Sequence, residues 1–253
     1  MKVIFLSANK LGYCVFPELM KVQGITIQCI VTLSSQSNTV MYDGIEPEKW
    51  KKWNIPVIEI NNIGEEIETI NKLSPDLILM CGWRQKIPPS MLNIPPKGII
   101  GFHPTLLPIG RGPAPIINSI LEGFVESGVT MFYLSDDLDS GDIIGQESFV
   151  ISDQDNAQNV YNKVIKATKK LIKTYVPLIK SGNSPRIPQD HSKATYFPKR
   201  TLNDNEINLD DDVSLIMRKI RAFSTPYRGA YISVNNARLI IWNASIEQDL
   251  KDE

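Results

Sequence analysis

Three short polar segments stand where apolar, strand-like runs of the sequence end. They read CGWRQ, GFHPTLLP and SDDLDSGD. His103 ends the apolar part of the second segment, and Asp139 lies in the third, where the following Ser-Gly pair allows a sharp turn. A carboxylate near an imidazole can keep the ring charged or oriented, and it can move protons during acyl transfer. His103 and Asp139 are therefore candidates for an acid–base pair.

Each of these two residues also has an ordinary structural interpretation, because a strand-end His often ties down a loop and an Asp-rich segment is often a solvated turn. A serine hydrolase is excluded, since the sequence has no Gly-x-Ser-x-Gly. A dinucleotide oxidoreductase is disfavoured, since the first strand leads into SANKLGYC without Gly-x-Gly-x-x-Gly. Two histidines without His-x-x-x-His or Cys-x-x-Cys spacing predict no metal site.

Short β-branched runs alternate with helical patterns through the first two-thirds of the chain. The runs predicted as strands are 3–6, 26–31, 57–60, 77–80, 99–102 and 129–134. Such alternation predicts an α/β domain with a mostly parallel sheet. Ligands of open sheets of this class bind beyond the carboxyl ends of the strands, so we expect the three polar segments to form one site.

Four segments have apolar residues at helical spacing: 63–73, 113–122, 156–180 and 211–223. Between the last two lies SGNSPRIPQDHSK, which is rich in Pro, Ser and Gly and is typical of a linker or an extended segment laid over the surface. Two strands, 230–234 and 238–242, follow across an Asn-Asn turn. We therefore expect a main domain over 1–180 and a small C-terminal helix-and-hairpin unit over 181–253.

Composition narrows the class of protein. The chain has 253 residues and a net charge of −1, which does not predict binding to a nucleic-acid backbone. No apolar run approaches the roughly 20 residues that a membrane span needs, so no membrane partner is expected. Three widely spaced cysteines predict no disulfide framework and favour a reducing, cytoplasmic setting.

The second and third polar segments together carry a family resemblance. GFHPTLLPIGRG and the later DDLDSGDIIGQ resemble the paired motifs of the 10-formyltetrahydrofolate-dependent formyltransferases, which include the glycinamide ribonucleotide, methionyl-tRNA and sugar N-formyltransferases. LSPDLILMCGWRQKIP resembles the family's folate-pocket segment. KRTLNDNEINL and IRAFSTPYRGAY resemble the region that follows the catalytic domain. The resemblance implies a Rossmann-like, three-layer domain with helices on both faces of the sheet and folate between the two loops.

Carried over residue by residue, the family's catalytic residues fall on His103 and Asp139. The folate pocket wall falls on Met80, Gly82, Trp83, Arg84, Gln85 and Ile87, and the acidic loop that touches the pterin falls on Asp136, Asp137 and Leu138. Contacts with the acceptor are expected from Pro104, Arg111 and Gly112. The resemblance implies that 10-formyltetrahydrofolate is the donor and that the acceptor's amine attacks the formyl carbon, with His103 stabilising the oxyanion and Asp139 helping to remove a proton.

Gly101 departs from the family, whose members normally have an Asn two residues before the His. That Asn holds the formyl oxygen, and loss of one such donor can cost about 3 kcal/mol of transition-state stabilisation if nothing replaces it. Another donor, for which Asn118 is a candidate, could take its place. Alternatively, the protein is a catalytically weakened, folate-binding relative. We expect an active enzyme because the other motif residues are present.

The expected acceptor is a nucleotide-linked amino sugar, and the resemblance to sugar N-formyltransferases implies a role in surface polysaccharide biosynthesis. The C-terminal unit is short beside the barrel of methionyl-tRNA formyltransferases, and the net charge does not favour tRNA binding. A methionyl-tRNA formyltransferase-like enzyme is the alternative. The two hairpin strands near Tyr231 could also pair across a two-fold axis and make a homodimer.

Overall fold

A seven-stranded sheet forms the centre of the computed structural model, which describes residues 1–39 and 41–247. Its strands are β1 (Lys2–Leu6), β2 (Thr26–Leu33), β3 (Val57–Ile60), β4 (Leu77–Met80), β5 (Ile99–His103), β6 (Glu126–Tyr133) and β7 (Ile143–Val150). They are ordered β3-β2-β1-β4-β5-β6-β7. The first five strands run parallel, while β6 and β7 pair antiparallel with their neighbours. The predicted mostly parallel sheet is confirmed.

Helices cover both faces of this sheet. They are α1 (Lys10–Met20), α2 (Pro47–Trp50), α3 (Ile67–Leu73), α4 (Pro89–Leu92), α5 (Pro115–Leu121), α6 (Ala157–Ser181) and α7 (Val213–Phe223). Short 3-10 helices span Lys51–Trp53, Ile63–Glu65, His191–Lys193 and Leu202–Asn205. Alternate residues of β1 point to opposite faces, so Val3 joins the apolar core beneath α1, α5 and α6, and Ile4 joins the core beneath α3 and α4. The Rossmann-like, three-layer prediction is confirmed.

Helix α6 is the longest in the described residues and agrees closely with its sequence pattern. Asn156 caps its N-terminus by accepting a hydrogen bond from the backbone of Asn159, and the Asn159 side chain bonds back to Asn156. Its buried side chains, which include Val160, Val164 and Leu171, repeat at the helical period. The helix ends at Ser181, beside the expected domain division. That division itself stays a prediction.

Four elements escaped the sequence patterns: α1, α2, α4 and β7. Helix α1 contains Gly12 and Pro17, both poor helix formers, among residues that are mostly apolar, so its period is obscured. Strand β7 alternates burial only in its second half. The predicted helix at 63–73 is divided into the 3-10 turn Ile63–Glu65 and α3, and the helix predicted at 113–122 begins at Pro115.

The C-terminal unit consists of α7, which packs against α5, and a hairpin of β8 (Ala230–Val234) and β9 (Ala237–Ile241). Asn235 and Asn236 join the two strands with φ of +49° and +64°, as the predicted Asn-Asn turn requires. Between α6 and α7 most of the chain has no regular secondary structure, but the 3-10 turns His191–Lys193 and Leu202–Asn205 interrupt it, and isolated bridges join Ile187 to β7 and Tyr196 to Arg111. The predicted linker or extended segment is thus free of helix over residues 183–190 and ends in a 3-10 turn. No helix among the described residues has the length and apolar character to cross a membrane.

Candidate active site

One cleft of about 970 Å³ opens beyond the carboxyl ends of β1, β4 and β5. It is lined by His103, Asp139, Pro104 and Gly112. Every residue expected to contact folate also lines it: Met80, Gly82, Trp83, Arg84, Gln85, Ile87, Asp136, Asp137 and Leu138. The expectation that ligands bind beyond the carboxyl ends of the strands therefore located the cleft. The role of each residue stays a prediction.

His103 ends β5 and is 6% exposed. Its Nε2 atom lies 2.8 Å from the carbonyl oxygen of Gly110. A carbonyl can only accept, so Nε2 carries a proton and donates it to Gly110. The other ring nitrogen, Nδ1, lies 3.6 Å from Oδ2 of Asp139. This distance is within ion-pair range and too long for a hydrogen bond.

Asp139 takes a left-handed backbone conformation, with φ of +51°. Its Oδ2 accepts a hydrogen bond of 2.9 Å from the backbone N–H of Gly112, which holds the carboxylate on the side facing His103. The chain can turn here because Gly141 has no side chain: a Cβ at that position would lie 1.9 Å from the carbonyl oxygen of Tyr133. The Ser-Gly pair after Asp139 thus acts as the sequence suggested.

The expected folate wall combines apolar side chains with polar groups that hold loops together. Gln85 accepts a 2.9 Å hydrogen bond from the backbone of Ile63 and donates to the hydroxyl of Thr39 at 2.9 Å and to the carbonyl of Asn61 at 2.8 Å. Leu138 in the acidic loop is 60% exposed, so its side chain is open to a ligand. The amide of Gln85 therefore holds the wall rather than pointing free into the cleft.

Gly101 lies in a position that is already filled by apolar groups. A Cβ on Gly101 would lie 2.8 Å from Leu134 Cδ1, 3.3 Å from Phe132 Cε1 and 3.4 Å from Met80 Cε. These side chains occupy the space in which an Asn side chain of the family would begin. Among the described residues, the three atoms nearest to that position are all carbon atoms.

Asn118 was the candidate for a replacement donor, and its placement does not agree with that role. Its amide donates to the carbonyls of Pro113 at 3.0 Å and Pro198 at 3.3 Å, and its oxygen accepts from Nε of Arg200 at 2.7 Å. The side chain is fully buried and does not line the cleft. Asn118 instead connects α5 to the segment that leads into the C-terminal unit.

The prediction that Arg111 contacts the acceptor requires a correction. Arg111 was expected to meet an anionic acceptor, but it is 2% exposed and does not line the cleft. Its guanidinium is already bound to the side chains of Gln189, His191 and Tyr196. A guanidinium that is buried and uses four of its five N–H donors inside the protein does not meet a ligand in the cleft.

A buried carboxylate that the sequence did not reveal also lines the cleft. Asp43 is 9% exposed and accepts hydrogen bonds from Asn9 at 3.0 Å, from Arg84 at 3.1 Å and from the hydroxyl of Tyr161. Burial and the neighbouring Asp43 carboxylate raise the pKa of Tyr161 well above its usual value, so the phenol remains a donor. These four residues form no local motif together, because they come from four separate segments, and only Arg84 belongs to one of the predicted site segments.

Next to Asp43, two guanidinium groups lie near the same aromatic ring. The ring of Tyr42 is 5.0 Å from Cζ of Arg228 and 6.0 Å from Cζ of Arg84, with the ring of Tyr227 6.2 Å away. The ion pairs among the described residues do not include Arg228 or Lys199, which also line the cleft. We call Tyr42, Arg84, Lys199 and Arg228 the cationic group of the cleft.

Comparisons with known proteins agree with this architecture. Residues 60–176 match the model of the formyl transferase family, and residues 199–253 match the model of the formyl transferase C-terminal domain. A methionyl-tRNA formyltransferase from Halalkalibacterium halodurans is 33% identical over 259 residues, which cover 100% of this chain and 81% of that protein. This chain belongs to the formyltransferase family. By that membership it is an enzyme of formyl-group transfer.

Other formyltransferases extend the comparison. A methionyl-tRNA formyltransferase from Syntrophus aciditrophicus is 35% identical over 201 residues, covering 78% of this chain and 64% of that relative. A sugar N-formyltransferase from Shewanella shares the fold with a TM-score of 0.77 at 21% identity, covering 98% of this chain and 99% of that one. An N-formyltransferase from Helicobacter canadensis, solved with folinic acid and dTDP-3-aminofucose, has a TM-score of 0.73 at 20% identity and covers 95% and 86%.

Proposed function

We propose that this formyltransferase moves a formyl group from 10-formyltetrahydrofolate to the primary amine of a nucleotide-linked amino sugar. One observation carries the proposal: a single cleft holds the His103–Asp139 pair, an apolar wall and the cationic group. The first two features suit the donor and the chemistry. The third suits an acceptor that carries phosphate.

The apolar wall fits a folate. Met80, Trp83, Ile87, Phe132 and Leu134 all line the cleft, and flat heterocycles bind to apolar walls with a few polar groups that fix their orientation. The acidic loop adds backbone and carboxylate groups beside this wall. When bound, 10-formyltetrahydrofolate supplies the formyl group.

His103 and Asp139 have different roles in this proposal: His103 stabilises the developing negative charge, and Asp139 takes up a proton. Because Nε2 of His103 already donates to Gly110, a second proton on Nδ1 produces an imidazolium beside the Asp139 carboxylate. That cation stabilises negative charge that develops on the formyl oxygen, which the Asn of the family would otherwise share. Oδ2 of Asp139 is held by Gly112, so Oδ1 is the atom that takes the proton lost by the acceptor amine. The bond between the formyl carbon and the folate nitrogen breaks, and this proton passes to the nitrogen, which releases tetrahydrofolate.

The cationic group suits the nucleotide diphosphate of the acceptor. Guanidinium and ammonium groups bind phosphate oxygens through charge-assisted hydrogen bonds, and the ring of Tyr42, 44% exposed, offers a face for a nucleobase. Lys199 and Arg228 come from the C-terminal unit, and Arg84 comes from the loop after β4. The Helicobacter canadensis N-formyltransferase, described with dTDP-3-aminofucose, provides a precedent for such an acceptor in this fold.

A methionyl-tRNA acceptor is the second candidate. It is favoured by the relatives of 33% and 35% identity, both of which are methionyl-tRNA formyltransferases. The same cationic group could contact the phosphates of an acceptor stem. Binding of tRNA would then weaken steeply as salt concentration rises, since each neutralised phosphate releases counterions.

The test is a parallel assay of candidate acceptors. The purified protein is mixed with 10-formyltetrahydrofolate and, separately, with dTDP- and UDP-linked 3-amino and 4-amino sugars and with methionyl-tRNA. Release of tetrahydrofolate and the mass of the product are followed together. We expect one sugar nucleotide to gain the mass of one formyl group.

The other outcomes are equally informative. Formylation of methionyl-tRNA alone would contradict the sugar proposal and support the second candidate. Folate binding without transfer to any acceptor would contradict both and would identify a folate-binding relative weakened by Gly101.

A further inference from the structure

Arg111 is a buried cation whose hydrogen bonds run only to uncharged partners. Nε and Nη2 donate to Oε1 of Gln189 at 3.2 and 2.6 Å, Nη1 donates to the hydroxyl of Tyr196 at 3.0 Å, and Nη2 donates to Nδ1 of His191 at 3.1 Å. No carboxylate of the described chain forms an ion pair with it. Burial of an uncompensated charge is costly. Gln189 accepts two of these hydrogen bonds and is the main polar partner of the buried charge.

The guanidinium determines which way the Gln189 amide points. Arginine can only donate, so the atom facing it must be the amide oxygen. The amide nitrogen then faces the opposite way, where it donates to the carbonyl of Asp139 at 2.9 Å and to the carbonyl of Gly141 at 2.8 Å. Gln189 is 5% exposed, and all four of its hydrogen-bonding positions are used. Arg111 and Gln189 thus form a continuous buried connection to the turn of Asp139.

The turn that they hold is a strained one. A non-glycine residue in the left-handed region costs about 1 kcal/mol or more, so the backbone at Asp139 gains by relaxing unless it is held. Gln189 binds the carbonyls on both sides of Ser140 and opposes that relaxation. Because the Asp139 carboxylate stands 3.6 Å from Nδ1 of His103, a small rotation of this backbone would change that separation directly.

We propose that Gln189 and Arg111 are positioning residues, which keep the Asp139 carboxylate aimed at His103 and the acceptor amine. This inference rests on the proposed catalytic role of Asp139. It assigns a function to the extended segment between α6 and α7, which lies outside both motifs of the family resemblance. It also explains why Arg111, adjacent to Gly112, faces the protein interior.

The decisive variant is Gln189→Glu. A carboxylate at this position keeps the hydrogen bonds from Arg111 and turns them into an ion pair, but it loses both donors to the turn and places negative charge against two carbonyl oxygens. A purely structural role of Gln189 as a partner of Arg111 would survive this change. Tyr196→Phe is the matched control, because it removes another hydrogen bond of Arg111 from a residue that is 62% exposed and does not touch the turn.

We expect Gln189→Glu to lower kcat by about ten- to a hundredfold, as displacement of a reacting group by a fraction of an ångström can do. The KM values for 10-formyltetrahydrofolate and for the acceptor found in the assay should change by less than about threefold. Hydrogen–deuterium exchange of Gln189→Glu should rise over residues 135–142, while its melting temperature stays close to that of wild type. The Tyr196→Phe variant should match wild type in turnover, exchange and melting temperature. Wild-type turnover and exchange in Gln189→Glu would overturn the proposal.

Asp139→Asn separates this inference from the proposed function. If Gln189 acts through Asp139, adding Gln189→Glu to Asp139→Asn should lower kcat by less than about twofold, because the two changes remove one shared contribution. An equal loss in both backgrounds would show that Gln189 acts elsewhere and would overturn the positioning role alone. Undiminished turnover of Asp139→Asn would overturn the catalytic role of Asp139 and, with it, this inference.

Discussion

Nε2 of His103 donates a 2.8 Å hydrogen bond to the carbonyl oxygen of Gly110, so the ring presents Nδ1 to the cleft and to Asp139. The ring is thus oriented by the backbone of its own loop, ahead of any ligand. Asp139 is in turn oriented by the backbone of Gly112. Two catalytic candidates held by main-chain groups are typical of a site that is organised before its substrates bind.

Replacement of Asp139 by Asn tests this pair directly. The amide keeps the size of the side chain and loses the carboxylate that takes the proton from the acceptor amine. We expect kcat to fall by about a hundredfold or more, as for loss of a general base, with folate affinity unchanged. Single-turnover formyl transfer and a fluorescence titration with folate would measure the two quantities. Asp142→Asn is the control, because Asp142 belongs to the same loop but pairs with Arg186.

The packing around Gly101 predicts a non-additive pair of variants. Gly101→Asn alone should lower the free energy of unfolding by about 1 to 3 kcal/mol, because its Cβ would overlap Leu134. Adding Leu134→Ala makes room and should recover part of that loss. If the new amide then reaches the formyl oxygen, kcat of the double variant should exceed that of Leu134→Ala alone. Thermal unfolding and steady-state kinetics check both statements, and simple additivity in stability would contradict the packing argument.

Arg228→Gln tests the cationic group. Loss of one charge-assisted hydrogen bond to phosphate should raise the KM for a nucleotide-linked acceptor by about tenfold, which corresponds to roughly 1.4 kcal/mol. The KM for 10-formyltetrahydrofolate should not change. The matched control is Arg238→Gln on the hairpin, where the guanidinium covers the ring of Tyr231. Equal effects of both variants would show that overall charge, and not this group, matters.

The lowered pKa of Asp155 predicts how the stability of the protein responds to acid. The Asp155 carboxylate, which precedes α6, loses hydration on burial, but the hydrogen bonds from Lys163 and Ser152 outweigh that effect and lower its pKa. A carboxyl whose pKa is lower in the folded state contributes stability above its unfolded pKa of about 3.9, and this contribution is lost as pH falls through the folded value. The melting temperature of Asp155→Asn should therefore be lower than that of wild type at pH 7.

The same gap should close as the pH falls below the pKa that Asp155 has in the folded protein, where both proteins lack the charge. Thermal scans across this range provide the measurement. Asp153→Asn, two residues earlier and exposed, is the control and should follow wild type throughout. A gap that stays constant with pH would show that the Asp155 charge is not the cause.

Much of the site could be derived from the sequence because its parts are local. Strand ends are visible as apolar runs that stop at polar residues, and the parallel order of β1, β4 and β5 brings those ends to one edge. His103, Asp139 and the folate wall were predicted in this way and by family resemblance, and they line one cleft. The direction of Arg111 was not predictable, because its partner Gln189 lies 78 residues along the chain.

The sequence by itself determined the α/β class, the paired motifs and the edge of the sheet where they meet, since each depends on periodicity or spacing within short segments. Only the tertiary structure decided which polar groups are used up inside the protein. It buries Arg111 and Asn118 against partners from the extended segment, and it groups Tyr42 and Arg228 from opposite ends of the chain. Hydrogen bonds and burial between distant segments leave no local pattern, because they depend on how the completed layers pack.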